Sequence, residues 1–179
     1  IRKEFKRFTN HEVAPSNIYI LPQGKLPYIP DTYGKSDNVD DLYKKLKIDS
    51  REDVKIIVGS GWVQIRKGVD LFVSVARYIK KHYEGKCKFV WVGEGFNPDK
   101  DLAYSVYLDR EVEFSGLGDD FIFLEHQKDL NTIFSIADVF CLSSRMDPFP
   151  NVVIDALAHD LHIACFDDAS GSAEFLQKH

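Results

Sequence analysis

The sequence predicts an α/β fold of the Rossmann-like, three-layer α/β/α type, with a parallel sheet between two layers of helices. From residue 54 onward, short apolar runs alternate with longer stretches of helical periodicity. This alternation is typical of parallel strands joined by crossover helices. The predicted strands cover residues 54–58, 88–92, 121–124, 139–142 and 162–166. With 179 residues and 44% hydrophobic composition, the chain is long enough to bury one core.

The segment before this regular pattern differs in composition. Residues 1–35 are polar and contain several prolines, and we expect a leader and interdomain crossing there, with one short strand over 17–21. A short charged helix is expected over 39–46. Residues 36–179 are predicted to fold as one domain, which we expect to be a fragment of a larger two-domain protein.

Helices are predicted between the strands. The first of them, over 69–82, carries apolar residues at core spacing, namely Leu71, Phe72, Val75 and Ile79. Residues 112–114 alternate like a strand, but the distance between the neighbouring strands favours a crossover helix over 98–116. A further helix is predicted over 129–137.

The most informative cluster follows the fourth predicted strand. An elbow, Asp147-Pro148-Phe149-Pro150-Asn151, leads into a helical stretch that carries Asp155. The prolines fix φ in the elbow, and Asn151 is expected to cap the helix, whose first N–H groups form an anion site. Two carboxylates beside such a helix start suit a ligand that combines hydroxyl groups with an anion. A sugar joined to a nucleotide by a diphosphate has both.

A second cluster follows the first predicted strand. The glycine turn Gly59-Ser60-Gly61 leads to Arg66-Lys67-Gly68 at the start of a helix. If the first and fourth strands are neighbours, both clusters lie at one edge of the sheet, where Arg66 and Lys67 can neutralise a diphosphate. The glycines also allow a dinucleotide fingerprint with Glu94 as the ribose acid, but the third glycine position holds Gln64.

With both clusters, the chain resembles the retaining GT-B glycosyltransferases of the glycogen-synthase-like family four, the glycosyl transferases group 1. The resemblance is to their carboxy-terminal, donor-binding half, and it runs from Ile18-Tyr19-Ile20-Leu21-Pro22-Gln23-Gly24 to Gly171-Ser172-Ala173-Glu174. Its motifs are the lysine–glycine pair, here Lys67-Gly68, and two acids separated by seven residues. The family has glutamates at the two acid positions, where this chain has Asp147 and Asp155.

The resemblance implies a role for each of these residues. Lys67 contacts the donor phosphates, and Arg66 is a candidate for a second cation. Asp147 orients hydroxyl groups of the transferred sugar, and Asp155 binds the ribose. The catalytic residues are thus Lys67, Arg66 and Asp147. The donor-binding residues are Gly61, Trp62, Glu125, His126, Gln127, Pro148, Phe149, Pro150, Asn151 and Asp155.

The loop that follows the third predicted strand has two interpretations. Glu125, His126 and Gln127 lie where the family holds the nucleotide base. An ordinary polar loop accounts for them equally well.

The activity that the resemblance implies is glycosyl transfer with retention at the anomeric carbon, without a metal. The donor is a nucleotide-sugar such as a UDP- or GDP-sugar, with no other cofactor. The acceptor is a saccharide or lipid-linked molecule held mainly by a preceding domain, as in polysaccharide biosynthesis. Two other classes stay open: a non-catalytic nucleotide-sugar-binding domain, which the aspartate-for-glutamate replacements allow, and an NAD(P)-binding Rossmann enzyme.

Net charge and cysteine placement indicate which binding partners and which cellular location are expected. The net charge of -5 argues against a general nucleic-acid surface, which needs a basic excess to replace phosphate counterions. Cys87, Cys141 and Cys165 lie in or beside apolar strands without metal spacing, so reduced core thiols in a cytoplasmic protein are expected. No apolar run reaches the ~20 residues of a bilayer span, although peripheral association of a full-length protein with the inner membrane face stays open.

Overall fold

The structure is a computed structural model, and it describes residues 6–7, 9–17, 39–49, 54–125, 127 and 130–178. The strand expected over 17–21 falls almost entirely outside these residues, and Asn17 itself ends a short 3₁₀ turn, Pro15–Asn17. The candidate base contact His126 also lies outside them, as does the expected crossing at 18–24.

One parallel sheet forms the centre of the described domain. Its strands are β1 (Val54–Ser60), β2 (Lys86–Val92), β3 (Phe121–Leu124), β4 (Val139–Leu142) and β5 (His162–Cys165). They are hydrogen-bonded in the order β3-β2-β1-β4-β5, and each neighbouring pair is parallel. The predicted parallel α/β sheet is therefore confirmed, with β1 and β4 as neighbours at its centre.

Helices connect the strands. They are α1 (Val39–Lys45), α2 (Val69–His82), α3 (Tyr104–Phe114), α4 (Asn131–Ile136), α5 (Asn151–Ala158) and α6 (Gly171–Lys178). The crossover helix predicted over 98–116 is confirmed as α3, so residues 112–114 are helical rather than extended. A 3₁₀ turn, Ile65–Lys67, directly precedes α2.

Helices cover both faces of the sheet. Because successive strand residues point to opposite faces, each strand contributes side chains to two separate cores. With α2 and α3, one face buries Ile57, Phe72, Val73, Phe89, Trp91, Leu108 and Phe121. With α1, α4 and α5, the other face buries Leu42, Ile56, Val58, Val90, Phe134, Phe140 and Val153. This division confirms the three-layer α/β/α architecture.

The strand order determines where a ligand can bind. The chain moves outward from β1 through β2 to β3, then returns to the other side of β1 with β4. In open α/β sheets, the carboxyl ends of the strands at such a reversal border a crevice. The glycine turn after β1 and the elbow after β4 are therefore at the same crevice.

The three cysteines are free thiols, as expected. Cys87 and Cys141 are buried in the sheet, and Cys165 is half-buried at the end of β5. Burial raises the pKa of the Cys141 thiol to about 12.

In the described part of the chain, no helix combines the length and apolarity needed to cross a membrane.

Candidate functional site

A salt bridge between two loops lies at the centre of the crevice. The Nζ of Lys67 lies 2.5 Å from Oδ2 of Asp147, and Nη1 of Arg66 lies 3.8 Å from the same oxygen. The side chains of Lys67 and Asp147 are only 16% and 10% exposed. Such shielding from water strengthens the attraction between their charges. The prediction that both clusters meet at one edge of the sheet is thus confirmed.

The glycine turn makes room for the lysine. Gly61 has φ +144°, and a Cβ added there would lie 3.1 Å from Cδ of Lys67. Its carbonyl oxygen accepts a hydrogen bond from Nε1 of Trp91 at 3.0 Å, and its N–H donates to the Val92 carbonyl at 3.0 Å. The turn is thus held against the end of β2, while the lysine stem lies along its open side.

Three contacts fix the 3₁₀ turn to the loop after β4. The N–H of Arg145 donates to the Arg66 carbonyl at 2.9 Å, and the Ser143 hydroxyl donates to the Lys67 carbonyl at 3.2 Å. Gly68, in the left-handed region at φ +68°, lies directly against the Ser143 carbonyl. The backbone of the cationic pair is therefore held by the segment that leads to Asp147.

The elbow also pairs with the segment that leads into α6, a contact that the sequence pattern does not predict. The N–H of Asp147 donates to the Ala169 carbonyl at 3.0 Å, and the N–H of Gly171 donates to the Pro148 carbonyl at 2.8 Å. Between the two segments lies a cavity of about 270 Å³, lined in part by Asp147, Ser170 and Glu174. The sequence signal that accompanies this pairing is Gly171, because a Cβ there would lie 2.6 Å from the Pro148 carbonyl oxygen.

The start of α5 differs from the expectation in one respect. Asn151 is the first helical residue, and the capping position belongs to Pro150, with φ −72° and ψ 131°. The prediction that Asn151 caps the helix is therefore wrong. The fixed φ of proline suits the extended conformation of a capping residue, which places Asn151 one position further in. Asp155 lies about one turn into α5 and is half-buried.

A second cavity, of about 590 Å³, lies at the carboxyl ends of β2 and β3. Its lining includes Glu125 and the rings of Phe96 and Phe123, which stack at a centroid distance of 3.7 Å. Gln127 donates from Nε2 to the Glu125 carbonyl at 2.9 Å. Trp62, 56% exposed, is next to this cavity, because a Cβ at Gly95 would lie 2.9 Å from the indole Nε1.

The glycine turn does not have the geometry of a dinucleotide fingerprint. Gly59 lies inside β1, paired with Trp91, where a Cβ would come within 2.7 Å of the indole ring. The helix begins only at Val69, after the 3₁₀ turn. In the fingerprint, the glycine turn itself opens the helix that binds the pyrophosphate. The NAD(P) alternative thus loses the feature on which it rested.

The lysine–aspartate pair lies at the topological reversal of a Rossmann-like sheet, which is where open α/β sheets bind their ligands. The sequence model of one family, Glycosyl transferases group 1, matches residues 40–179. That match covers well over half of the chain, and the chain belongs to this family.

Curated relatives show a weaker likeness over much of the chain. One is an uncharacterised glycosyltransferase of Haemophilus influenzae, 26% identical over 141 residues, with 78% of this chain and 37% of the relative covered. Another is the alpha-galactosylglucosyldiacylglycerol synthase of Streptococcus pneumoniae, 26% identical over 160 residues, with 82% and 39% covered. The chain thus spans less than two fifths of the length of these relatives.

Solved structures support the fold. WaaG, a glycosyltransferase involved in lipopolysaccharide biosynthesis, superposes with a TM-score of 0.70 at 18% identity, covering 98% of this chain and 45% of WaaG. HepE of Anabaena, in complex with UDP and glucose, gives a TM-score of 0.62 at 17% identity, covering 76% of this chain and 35% of HepE. The fold is therefore that of one half of a GT-B glycosyltransferase.

Proposed function

We propose that this chain is the donor-binding half of a retaining, metal-independent glycosyltransferase and that it binds a nucleotide-sugar at the carboxyl edge of its sheet. The observation that carries this proposal is the salt bridge of Lys67 with Asp147. It joins a cation for the diphosphate and a carboxylate for sugar hydroxyl groups in the crevice between β1 and β4.

Lys67 and Arg66 are proposed to bind the donor diphosphate. An ammonium group has three N–H donors, so Lys67 can keep one on Asp147 and direct others to phosphate oxygens. Arg66 is nearly half exposed and extends the positive charge toward solvent. Fixed donors of this kind stabilise the charge that develops on a departing diphosphate, typically by about 3 to 4 kcal/mol per donor.

The two aspartates are proposed to bind different parts of the donor. Asp147 lies in the elbow, next to the 270 Å³ cavity, where it can orient hydroxyl groups of the transferred sugar. Asp155, one turn into α5, is assigned to the ribose. Between them, Pro148, Phe149 and Pro150 lead to the first amides of α5, beginning at Asn151, which favour an anion.

The nucleotide base is proposed to bind beside the loop after β3. Glu125 lines the 590 Å³ cavity there, and Gln127 is hydrogen-bonded to its backbone. The cavity offers an aromatic wall together with polar groups, which suits a flat heterocycle with hydrogen-bonding edges. Gly61 and Trp62 lie between this cavity and Lys67, so base and diphosphate sites are continuous.

The names of similar proteins suggest the substrate class. The HepE complex contains UDP and glucose, which supports a UDP-sugar donor, although a GDP-sugar fits the same charges. The streptococcal relative is named as a glycolipid synthase and WaaG acts in lipopolysaccharide biosynthesis, which supports a saccharide or lipid-linked acceptor. We place acceptor binding and peripheral membrane contact mainly in a preceding domain. This chain alone should then bind a donor without transferring its sugar.

Calorimetric titration of the chain with UDP and with GDP tests the proposal. Lys67→Ala removes a charge-assisted contact, so affinity should fall about ten- to hundredfold. The matched control is Lys55→Ala, because Lys55 also pairs with an aspartate, Asp138 at 3.0 Å, but at the opposite edge of the sheet. The control should bind like the wild type. Unchanged affinity in a folded Lys67→Ala variant would overturn the assignment.

A further inference from the structure

Arg145, in the loop after β4, contacts both the 3₁₀ turn and the first turn of α2 beside the proposed diphosphate site. Its guanidinium group donates to both carboxylate oxygens of Asp70, from Nη1 at 2.8 Å and from Nη2 at 2.6 Å. The same Nη1 donates to the Ile65 carbonyl at 2.8 Å, and the Arg145 backbone N–H donates to the Arg66 carbonyl at 2.9 Å. Arg145 thus binds the two residues that precede Lys67 in the 3₁₀ turn.

The carboxylate that holds Arg145 is itself fixed. The Tyr104 hydroxyl donates to Oδ1 of Asp70 at 2.8 Å, and the Asp70 N–H lies 3.3 Å from the same hydroxyl oxygen. Asp70 is in the first turn of α2 and Tyr104 is the first residue of α3. The chain Tyr104–Asp70–Arg145 therefore anchors the turn to the starts of two helices.

Arg145 differs from Arg66 in the use of its charge. The guanidinium group of Arg145 contacts Asp70 and the Ile65 carbonyl. The guanidinium group of Arg66 instead contacts the Met146 carbonyl and lies 3.8 Å from Oδ2 of Asp147. A bidentate arginine–carboxylate pair has a fixed geometry that a lysine cannot reproduce. Because Asp70 and the Ile65 carbonyl already occupy this fork, Arg145 is suited to fix positions rather than to meet a phosphate.

We propose that Arg145, held by Asp70 and Tyr104, is a positioning residue that sets the distance between the ammonium group of Lys67 and the carboxylate of Asp147. Arg145 is two residues before Asp147 in the chain, and it binds the turn that carries Lys67. It therefore fixes both ends of that salt bridge relative to each other. This inference rests on the proposed function for its effect on the donor, but its geometric content does not depend on it.

The variant Arg145→Lys separates positioning from simple charge. It keeps the positive charge and loses the fork, so we expect UDP or GDP affinity to fall about tenfold. Asp70→Asn, which removes the charge that orients the fork, should give a similar loss. Wild-type affinity in Arg145→Lys would show that a positive charge suffices and would overturn the proposal. Arg77→Lys is the matched control, because Arg77 joins α2 to Glu111 of α3 at 3.5 Å without touching the turn.

A double-mutant cycle then asks whether Arg145 acts through Lys67. In a Lys67→Ala background, Arg145→Lys should cause no further loss of affinity, because its effect needs the ammonium group. Fully additive losses would mean that Arg145 acts independently, which would overturn the positioning role. A general loss of folding would also be additive, and circular dichroism and thermal unfolding of each variant detect it.

Crystal structures of the wild type and Arg145→Lys provide a readout that does not depend on nucleotide binding. We expect the Nζ–Oδ2 separation of Lys67 and Asp147 to exceed the wild-type value in the variant. An unchanged separation would overturn the inference. If the wild type binds neither UDP nor GDP, the proposed function fails, while this comparison still decides whether Arg145 positions the pair.

Discussion

The carbonyl oxygen of Ser143 occupies the space that a side chain at Gly68 would need. A Cβ built on Gly68 would lie 2.0 Å from that oxygen, and Gly68 has φ +68°. The residue between Lys67 and α2 is therefore restricted to glycine both by its backbone conformation and by the approach of the β4 loop. This contact brings the two halves of the proposed site together at the backbone level.

We expect Gly68→Ala to destabilise the domain and to weaken nucleotide binding. The left-handed conformation alone costs an L-residue about 1 to 2 kcal/mol, and the displaced Ser143 carbonyl adds to this cost. Gly116→Ala is the control, because Gly116 has the same φ of +68° and no atom within 4 Å of the added Cβ. Urea unfolding of both variants gives the difference that is due to the contact. Equal losses in the two variants would contradict this explanation.

The two aspartates should respond differently to neutralisation. Asp155→Asn should weaken binding of free UDP or GDP, because its proposed partner is the ribose. Asp147→Asn should leave that affinity nearly unchanged, because its proposed partner is the transferred sugar and Arg145 still holds the turn that carries Lys67. In a full-length enzyme, the same Asp147 change should instead reduce sugar transfer. Calorimetry on both variants checks the division, and equal losses for free nucleotide would contradict it.

The sequence was sufficient to predict the sheet and the edge at which Lys67 and Asp147 meet. The five strands are apolar runs bounded by polar or glycine residues, and their alternation with helices predicts parallel pairing. Once β1 and β4 are neighbours, Lys67 and Asp147 must lie at the same edge, although they are 80 residues apart. Burial pattern and topology are thus encoded in residue type and spacing.

The supporting contacts were not predictable in the same way. The guanidinium fork of Arg145 binds Asp70, a residue 75 positions away in the chain. An aspartate early in a helix and an arginine in a loop are common at exposed positions, so neither residue type indicates the pair. The pairing of Pro148 with Gly171 uses backbone groups only. The sequence pattern predicts Gly59 to be part of a turn, but Gly59 lies in β1 opposite Trp91, and its lack of a side chain leaves room for the indole ring. Such features depend on the exact approach of loops, which local patterns do not specify.

The cysteines should differ in reactivity at mild alkaline pH. Because the pKa of Cys141 is raised to about 12, only about one in ten thousand of its thiols is ionised at pH 8. Cys165 is half-buried and should react with iodoacetamide first, although burial also raises its pKa. Cys141 should react only on global unfolding. Mass spectrometry of peptides over a labelling time course measures the order, with Cys165→Ser expected to lack the fast phase. Early modification of Cys141 would contradict the described packing.

The salt bridge of Asp70 with Arg145 should make stability depend on pH in the acidic range. Hydrogen bonding from Arg145 holds the pKa of Asp70 below its ordinary value of 3.8. The folded state thus binds this proton less readily than the unfolded state, so the contribution is present above pH 3.8 and is lost as pH falls through the folded pKa. Because the pair is partly exposed, Asp70→Asn should lower the free energy of unfolding by about 1 kcal/mol at pH 6.

As pH falls below the lowered pKa of Asp70, the wild type and Asp70→Asn should converge, because the wild-type carboxyl group becomes protonated and also loses its charge. Urea unfolding at a series of pH values measures this convergence. Arg145→Lys provides the matched variant: without the fork, the Asp70 carboxyl should titrate closer to 3.8, as followed by its ¹³C chemical shift. A difference between wild type and Asp70→Asn that stays constant from pH 6 to pH 2 would show that the carboxylate charge is not what holds Arg145 in place.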